Sequence, residues 1–464
     1  MELHGMSAIQ TAEAVARGEL SPVAAVEGAL TRIDERNPAV NAIAWLRDEL
    51  ALEDARAAEK RLASGASPRP LEGVPFTAKD LCAIADGPSN QGSRAFAGAR
   101  PGVDAHVVRR LKDAGAILVA TTTSSEFGNR PTTESDLFGA TRNPWNTERT
   151  SGGSSGGAGV SAALGFTPLN QASDGGGSIR IPSFCCGVYG IKPARARISM
   201  GPLLSEEWGG LDVYGPITRT VADAAAFLDA TAGPATGDPY WAPPPEQSFL
   251  SATREEPRLR VAVAYARNGL PMDAACENAV RETAELLAAM GHQVTEAQPD
   301  LLPLEEPFVV VTTIGIGGME LTTEQLELLE DRTRLIFDVA PYVSAVDYAR
   351  ALRRMHAHSR RVLAFWEDFD VLITPTLSRP APPIGEIAAD MTKAWEDYRE
   401  WLCWTWPFNV TGQPAANVPA GFSPGGMPVG VQIVGRAADE RTVLAVSAQL
   451  ERARPWADRR PPAW

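Results

Sequence analysis

Histidine is scarce in this chain. There are five in 464 residues: His4, His106, His292, His356 and His358. His106 falls in a stretch that reads as helix, His292 follows a helix stop, and none has a catalytic motif around it. They read as surface or packed histidines, so a serine nucleophile activated by a histidine base is not what the chain offers. Cysteine is equally sparse: Cys82, Cys185, Cys186, Cys276 and Cys403. The number is odd and no C-x-x-C pair occurs, which excludes a disulfide framework and a zinc site. Reduced thiols in a cytoplasmic protein are expected, with no metal or cofactor. No apolar run approaches the roughly 20 residues that span a bilayer. Met1-Glu2-Leu3-His4 has neither the basic nor the apolar region of a signal peptide, so none is expected, and no membrane partner either. Positive charge is short as well: 43 Lys and Arg against 57 Asp and Glu leave a net charge of −14 and a pI near 5.0. Such a chain repels phosphate backbones, and nucleic acid is not an expected partner.

What is present is ordinary globular material, 44% hydrophobic and 22% charged, enough to bury a sizeable core. The first 65 residues read as helices. Ala8 to Arg17 stops at Gly18; Ser21-Pro22 looks like an N-cap followed by proline in the first turn; a third helix runs from Asp48 to Ala63. From Leu71 short apolar runs alternate with helical patterns. Val103 to Ala114 reads as helix and Ile117 to Ala120 as a buried strand, an alternation that points to an α/β sheet with covered faces. Residues 233–258 read as a long Pro-rich loop. Further strands are expected at Arg260 to Val263, Val371 to Thr374 and Val429 to Val434. Helices are expected at Asn278 to Met290, across much of 320–368, and near Thr442 to Glu451.

Two Gly/Ser clusters interrupt this texture. Ser151-Gly-Gly-Ser-Ser-Gly-Gly157 leads directly into a small-residue helix, Ala158 to Leu164, which is not how a flexible linker behaves. Glycines ahead of a helix let backbone N–H groups crowd around a reacting group. Asp174-Gly-Gly-Gly-Ser178-Ile-Arg180 follows. Three glycines before a serine can present successive N–H donors to a developing oxyanion. A serine nucleophile needs a base, and the best non-histidine candidate is Lys79 in Gly73-Val-Pro-Phe-Thr-Ala-Lys-Asp80. A lysine just after an apolar stretch is open to desolvation, which lowers its pKa.

Taken together, these segments resemble the amidase signature family. G-V-P-x-x-x-K-D ends at Lys79-Asp80. Gly152-Gly-Ser-Ser-Gly-Gly157 follows, then Asp174-x-Gly-Gly-Ser178-Ile-Arg-Ile-Pro182 and Cys186-Gly-Val-Tyr-Gly-Ile-Lys-Pro193. Their order and separations are those usual in the family. Similar stretches also occur at Ala140 to Asn146, Gly215 to Thr220, Ile373 to Thr376, Pro407 to Pro414 and Gly426 to Gln432. The likeness therefore covers nearly the whole chain, and is strongest to the branch of cyclic-dimer nylon-oligomer hydrolases.

The resemblance implies an α/β fold with a large mixed, twisted sheet covered by helices on both faces. It implies one domain over 1–464: an N-terminal helical segment (1–65), a signature core (66–220), a variable substrate side (221–400) and a C-terminal return to the core (401–464). It implies hydrolysis of amide C–N bonds through an acyl-enzyme. Ser178 is the implied nucleophile, Ser154 the bridge after a cis Gly153–Ser154 peptide, and Lys79 the base. The N–H groups of Gly175, Gly176, Gly177 and Ser178 are the implied oxyanion donors, with Gly153, Asp174 and Arg180 in support. Homodimers are common in the family, though the sequence leaves the oligomeric state open. The chain departs from the usual pattern at Thr121, Thr123, Ala194 and Gly175, the last expected to loosen the oxyanion loop.

Gly152-Gly-Ser-Ser-Gly156 also satisfies G-x-S-x-G, but that elbow requires a preceding strand and a later histidine. Gly157-x-Gly159-x-x-Ala162 mimics a dinucleotide fingerprint and likewise lacks its strand. A carbamate or ester hydrolase and an amidotransferase-type subunit remain alternatives on the same scaffold. The substrate is expected to be a small amide or carbamate. Trp395, Tyr398, Trp401, Trp404, Trp406 and Phe408 read as core or dimer interface ahead of substrate wall. Gly315, Gly317 and Gly318 read either as room for a bulky acyl group or as a turn.

Overall fold

A computed structural model describes residues 3–267, 269–388, 394–462 and 464. Eleven strands form one mixed sheet. In spatial order they are Ile43–Leu46, Ile117–Thr122, Pro75–Lys79, Leu169–Ser173, Tyr214–Thr218, Tyr189–Lys192, Ala415–Phe422, Pro428–Val434, Val371–Pro375, Arg260–Val263 and Gln293–Glu296. Pro75–Lys79 runs parallel to both of its neighbours. Leu169–Ser173 pairs antiparallel with Tyr214–Thr218 on its other side. Alternate residues of a strand face opposite ways. Accordingly Leu118 joins one apolar cluster, while Ile117 and Val119 join a second one with Val26, Ile33, Ala51 and Ala55 of the N-terminal helices. The sheet is thus covered on both faces, as a strand buried on both sides requires.

Local signals explain most boundaries. Ser21 accepts the N–H of Ala24 at 3.0 Å and caps Pro22–Val40. Asp48–Ala63 buries Ala51, Ala55 and Ala58 on one stripe. The helix expected from Val103 is shorter, His106–Asp113, because the Asp104 carboxylate turns away to accept the Ala85 N–H at 2.8 Å and the Lys112 ammonium at 2.9 Å. The N-terminal segment is not purely helical. Ile43–Leu46 pairs antiparallel with Ile117–Thr122, with Asn41 in the left-handed conformation (φ 54°) closing the preceding helix.

The sheet holds its centre through one buried cation. Arg180 opens the helix Arg180–Cys186 and is wholly enclosed. It donates to Asp174 at 3.0 and 2.9 Å, to the Thr405 carbonyl and Gln432 Oε1 at 2.7 Å, and to Asn409 Oδ1 at 2.6 Å. Burial alone would push Asp174 up, but the charge and hydrogen bonds of Arg180, with Lys192 and Asn409, hold its carboxyl well below the usual range. Removing one partner of such a pair strands the other. Arg180→Met is therefore expected to destabilise the fold by about 3–5 kcal/mol. Arg180→Lys, which lacks the planar fork, is expected to recover little of that loss. Urea midpoints for the three proteins check this, and an unchanged midpoint in Arg180→Met contradicts it.

Candidate active site

Lys79 is the last residue of the strand Pro75–Lys79 and is almost fully buried. Its Nζ donates to Ser154 Oγ at 2.7 Å and to Ser173 Oγ at 3.1 Å. Its backbone N–H is held by Gln171 Oε1 at 3.0 Å. Desolvation lowers the ammonium pKa to about 8, against the opposing pull of Asp212 and Asp174. The next residue, Asp80, fastens the following loop by accepting the N–H of Asn90 and of Gly92 at 3.1 and 2.9 Å.

Ser154 follows a cis Gly153–Ser154 peptide, as the resemblance implied. A Cβ on Gly153 would lie 2.5 Å from the Thr132 carbonyl carbon, so no side chain fits there. The N–H groups at the start of the helix Gly156–Leu164 do not reach the reacting centre. Gly156 donates to Thr133 Oγ1 at 2.9 Å and Gly157 to the Thr123 carbonyl at 3.3 Å. This glycine cluster positions Ser154, and the expectation that it crowds donors around a reacting group is corrected.

Ser178 lines a cavity of about 210 Å³ together with Gly128 and Gly176. Gly128 marks how near the lysine is: a Cβ there would stand 3.3 Å from Ser154 Oγ and 4.0 Å from Lys79 Nζ. Ser178 shares the cavity wall with Gly128, and no hydrogen bond joins it to Ser154 or Lys79 among the described residues. Among the described residues, the side-chain hydrogen bonds from the Lys79 ammonium go to Ser154 and Ser173.

The loop before Ser178 is firmly held. Asp174 accepts the N–H of Gly177 at 2.7 Å and of Ile179 at 3.1 Å, and Thr405 Oγ1 donates to the Gly176 carbonyl at 2.8 Å. Two expectations change as a result. The Gly177 N–H is already committed to a carboxylate, which leaves Gly175, Gly176 and Ser178 of the four anticipated oxyanion donors. Gly175 does not loosen the loop, since a Cβ there would meet the Trp208 ring at 2.7 Å, and the indole closes over it.

Two residues that sequence reasoning missed complete the lysine's surroundings. Ser173 ends its strand beside Ser154, and the negative charge of Asp212 acts on Lys79 from nearby. Burial raises Asp212 to about 6, although Lys79 opposes the shift. Only its position just ahead of Gly215-Pro-Ile-Thr-Arg-Thr220 could have drawn attention to it. Elsewhere, His106 Nδ1 lies 2.8 Å from Ser199 Oγ, which donates to Asp238 at 2.7 Å. The space beside Ser199 and Asp238 is only about 30 Å³, room for water alone.

The aromatic segment divides. Trp395, Tyr398 and Trp406 line the cavity with Phe308 and Trp208, whereas Trp401, Trp404 and Phe408 are buried in the core. Phe308 stacks near Trp406 with ring centroids 5.0 Å apart. Gly315 and Gly317 belong to the helix Glu305–Gly317 and are neither a turn nor acyl room. A Cβ on Gly315 would lie 2.8 Å from the Trp208 Cα, and one on Gly317 would lie 2.4 Å from the Ala340 Cβ. No cluster of three or more His, Cys, Asp or Glu able to hold a metal ion occurs among the described residues, and no helix among them is long and apolar enough to cross a membrane.

Comparison with known proteins matches this arrangement. Residues 24–444 fit the family described as Amidase. The chain is 36% identical to a 6-aminohexanoate-cyclic-dimer hydrolase of Paenarthrobacter ureafaciens, over 97% of this chain and 95% of that one. It is also 36% identical to an acylamidase of Rhodococcus erythropolis, over 99% and 98%. A solved 6-aminohexanoate cyclic dimer hydrolase complexed with substrate superposes with a TM-score of 0.92 at 33% identity, covering 99% of both chains. A mixed eleven-stranded sheet, the Gly/Ser clusters around a buried lysine, and relatives matched end to end converge on one conclusion: this chain belongs to the amidase signature family and is an amide-hydrolysing enzyme.

Proposed function

We propose that the chain cleaves small amides through Lys79, Ser154 and Ser178, by way of an acyl-enzyme on Ser178. The observation that carries this reading is the enclosed Lys79 ammonium, hydrogen-bonded to Ser154 beside the cavity that Ser178 lines. With its pKa near 8, the lysine holds roughly 300-fold more free base at neutral pH than an ordinary lysine.

The chemistry follows from proton positions. Ser178 Oγ attacks the amide carbonyl while its proton passes to Ser154 and the Ser154 proton passes to neutral Lys79. The N–H groups of Gly175, Gly176 and Ser178 receive the developing oxyanion. The C–N bond then breaks as the proton returns from Lys79 through Ser154 to the amide nitrogen, which leaves as a neutral amine. Water repeats the sequence to release the acid and restore Ser178. Carbamates and esters present the same carbonyl. Amides make the strictest demand on the returning proton, because an unprotonated amide nitrogen is a very poor leaving group. Asp212 supplies the negative charge that favours the lysinium form and so tunes the base.

Ser178→Ala is expected to lower kcat on an anilide by a factor on the order of 10⁴ or more, with KM little changed. A folded variant that keeps its turnover removes Ser178 as nucleophile. Assaying matched anilide, carbamate and ester substrates in parallel ranks the three leaving groups.

The pH profile offers a second check. Only the free base accepts a proton, so kcat/KM is expected to rise with pH through about 8 and level off above it. The charged neighbours of Lys79 are Asp212 and Asp174, with Glu207 close to Asp212. In Asp212→Asn one charge that stabilises the ammonium is gone, so the rising limb is expected to move to lower pH. A purely structural Asp212 would change the amplitude and leave the limb in place.

A further inference from the structure

The cavity at Ser178 is aromatic and aliphatic over most of its wall, yet two guanidinium groups, Arg130 and Arg332, are set into it and, among the described residues, no carboxylate is. A cation against an apolar wall is unfavourable unless paired. Arg130 has partial compensation: its Nη1 lies 3.6 Å from Glu330 Oε2 and donates to the Glu134 carbonyl at 3.3 Å. Arg332 is different. Its Nε and Nη1 are enclosed, and neither finds an acceptor among the described residues.

Tyr398 is the neighbour that holds Arg332, through its ring and its hydroxyl. The guanidinium carbon lies 4.1 Å from the centroid of the Tyr398 ring, which engages the flat face of the group and leaves its edge for hydrogen bonds. The nearby carboxylate is already occupied. Glu330 accepts the Asp136 N–H at 2.9 Å, and burial, reinforced by Glu126, raises it to about 7, making it a weak counter-charge. On the same wall Asn129 Oδ1 and Arg130 Nε also lack partners among the described residues. Unpaired buried polar groups gathered at one end of a cavity call for a partner there, water or a polar group of a ligand.

We propose that the cavity takes an amide whose ring or alkyl body lies along Phe308, Trp395 and Trp406 and whose end carries a carboxylate, received by the Arg332 guanidinium. This rests on the amide-hydrolase reading and names the substrate class within it. A charge-assisted pair of this kind is among the stronger hydrogen bonds. The volume of about 210 Å³ lies below the ~300 Å³ where drug-sized pockets begin, so the part of the substrate that it holds is one compact limb.

The test compares three anilides on the wild-type enzyme. Hexananilide is neutral, the mono-anilide of adipic acid carries the carboxylate on the acyl side, and N-hexanoyl-para-aminobenzoate carries it on the amine side. One of the two anionic substrates is expected to exceed hexananilide in kcat/KM by about tenfold to a hundredfold, and which one does so assigns the cavity to the acyl or the amine half. In Arg332→Gln that ratio is expected to fall to about one, and in Arg332→Lys to be partly kept. Hydrolysis of hexananilide with no preference for either anion, or a preference that survives Arg332→Gln, overturns the assignment. Calorimetric titration of both anionic amides into Ser178→Ala and Ser178→Ala/Arg332→Gln separates the two readings. If none of the three amides is hydrolysed, amide hydrolysis has failed, while at least tenfold weaker binding in the double variant still upholds Arg332, and equal binding rejects it.

Discussion

The site depends on keeping one ammonium group away from water. Lys79 stands at the end of a strand that is paired on both sides, inside a sheet that is covered on both faces, with two serine hydroxyls as its side-chain partners. In water a lysine is a poor base because it is almost wholly protonated. Enclosure lowers its pKa to about 8, while Asp212 and Asp174 keep the shift from going further. The balance between burial and two nearby carboxylates makes the group usable near neutral pH. In the proposed mechanism a single lysine takes the part that histidine plays in the Ser-His-Asp triad.

The scaffold serves that balance from the other side. Asp174 organises the loop before Ser178 and contributes negative charge near Lys79, but its own charge is neutralised chiefly by Arg180. Arg180 in turn binds groups near the C-terminal end of the chain, at Thr405, Asn409 and Gln432. The loop before Ser178 is therefore fixed by residues more than two hundred positions away. This explains why motifs far apart in sequence meet in one centre, and why three glycines in a row do not make a slack loop.

Much of this was legible beforehand, and unevenly. Helices with good caps were readable to within a few residues: Asp48–Ala63 has the expected bounds, and Pro22–Val40 begins at its expected cap. Strands inside the motifs were not read as strands. Pro75–Lys79 and Leu169–Ser173 are buried along their whole length, and Ile43–Leu46 is a short edge strand half-buried throughout. None shows the alternation that marks a half-exposed strand. At the site, Lys79 and Ser154 were found through motif resemblance and meet at hydrogen-bonding distance. Asp212, Ser173, Trp208 and Arg332 went unseen because their significance lies in what surrounds them, which no local pattern encodes. The aromatic segment shows the same limit: its spacing could not reveal that Trp406 lines the cavity while Trp404 belongs to the core.

The central claim is that Ser178, activated through Ser154 by Lys79, carries the acyl group. The most direct measurement is mass spectrometry of peptides from enzyme acid-quenched during turnover of an activated aryl ester. The expected result is the acyl mass on the peptide at Ser178, accumulating in wild type and missing when Lys79 is replaced by Met. An adduct on Ser154 instead, or product release with no acylated serine at any time, would contradict it.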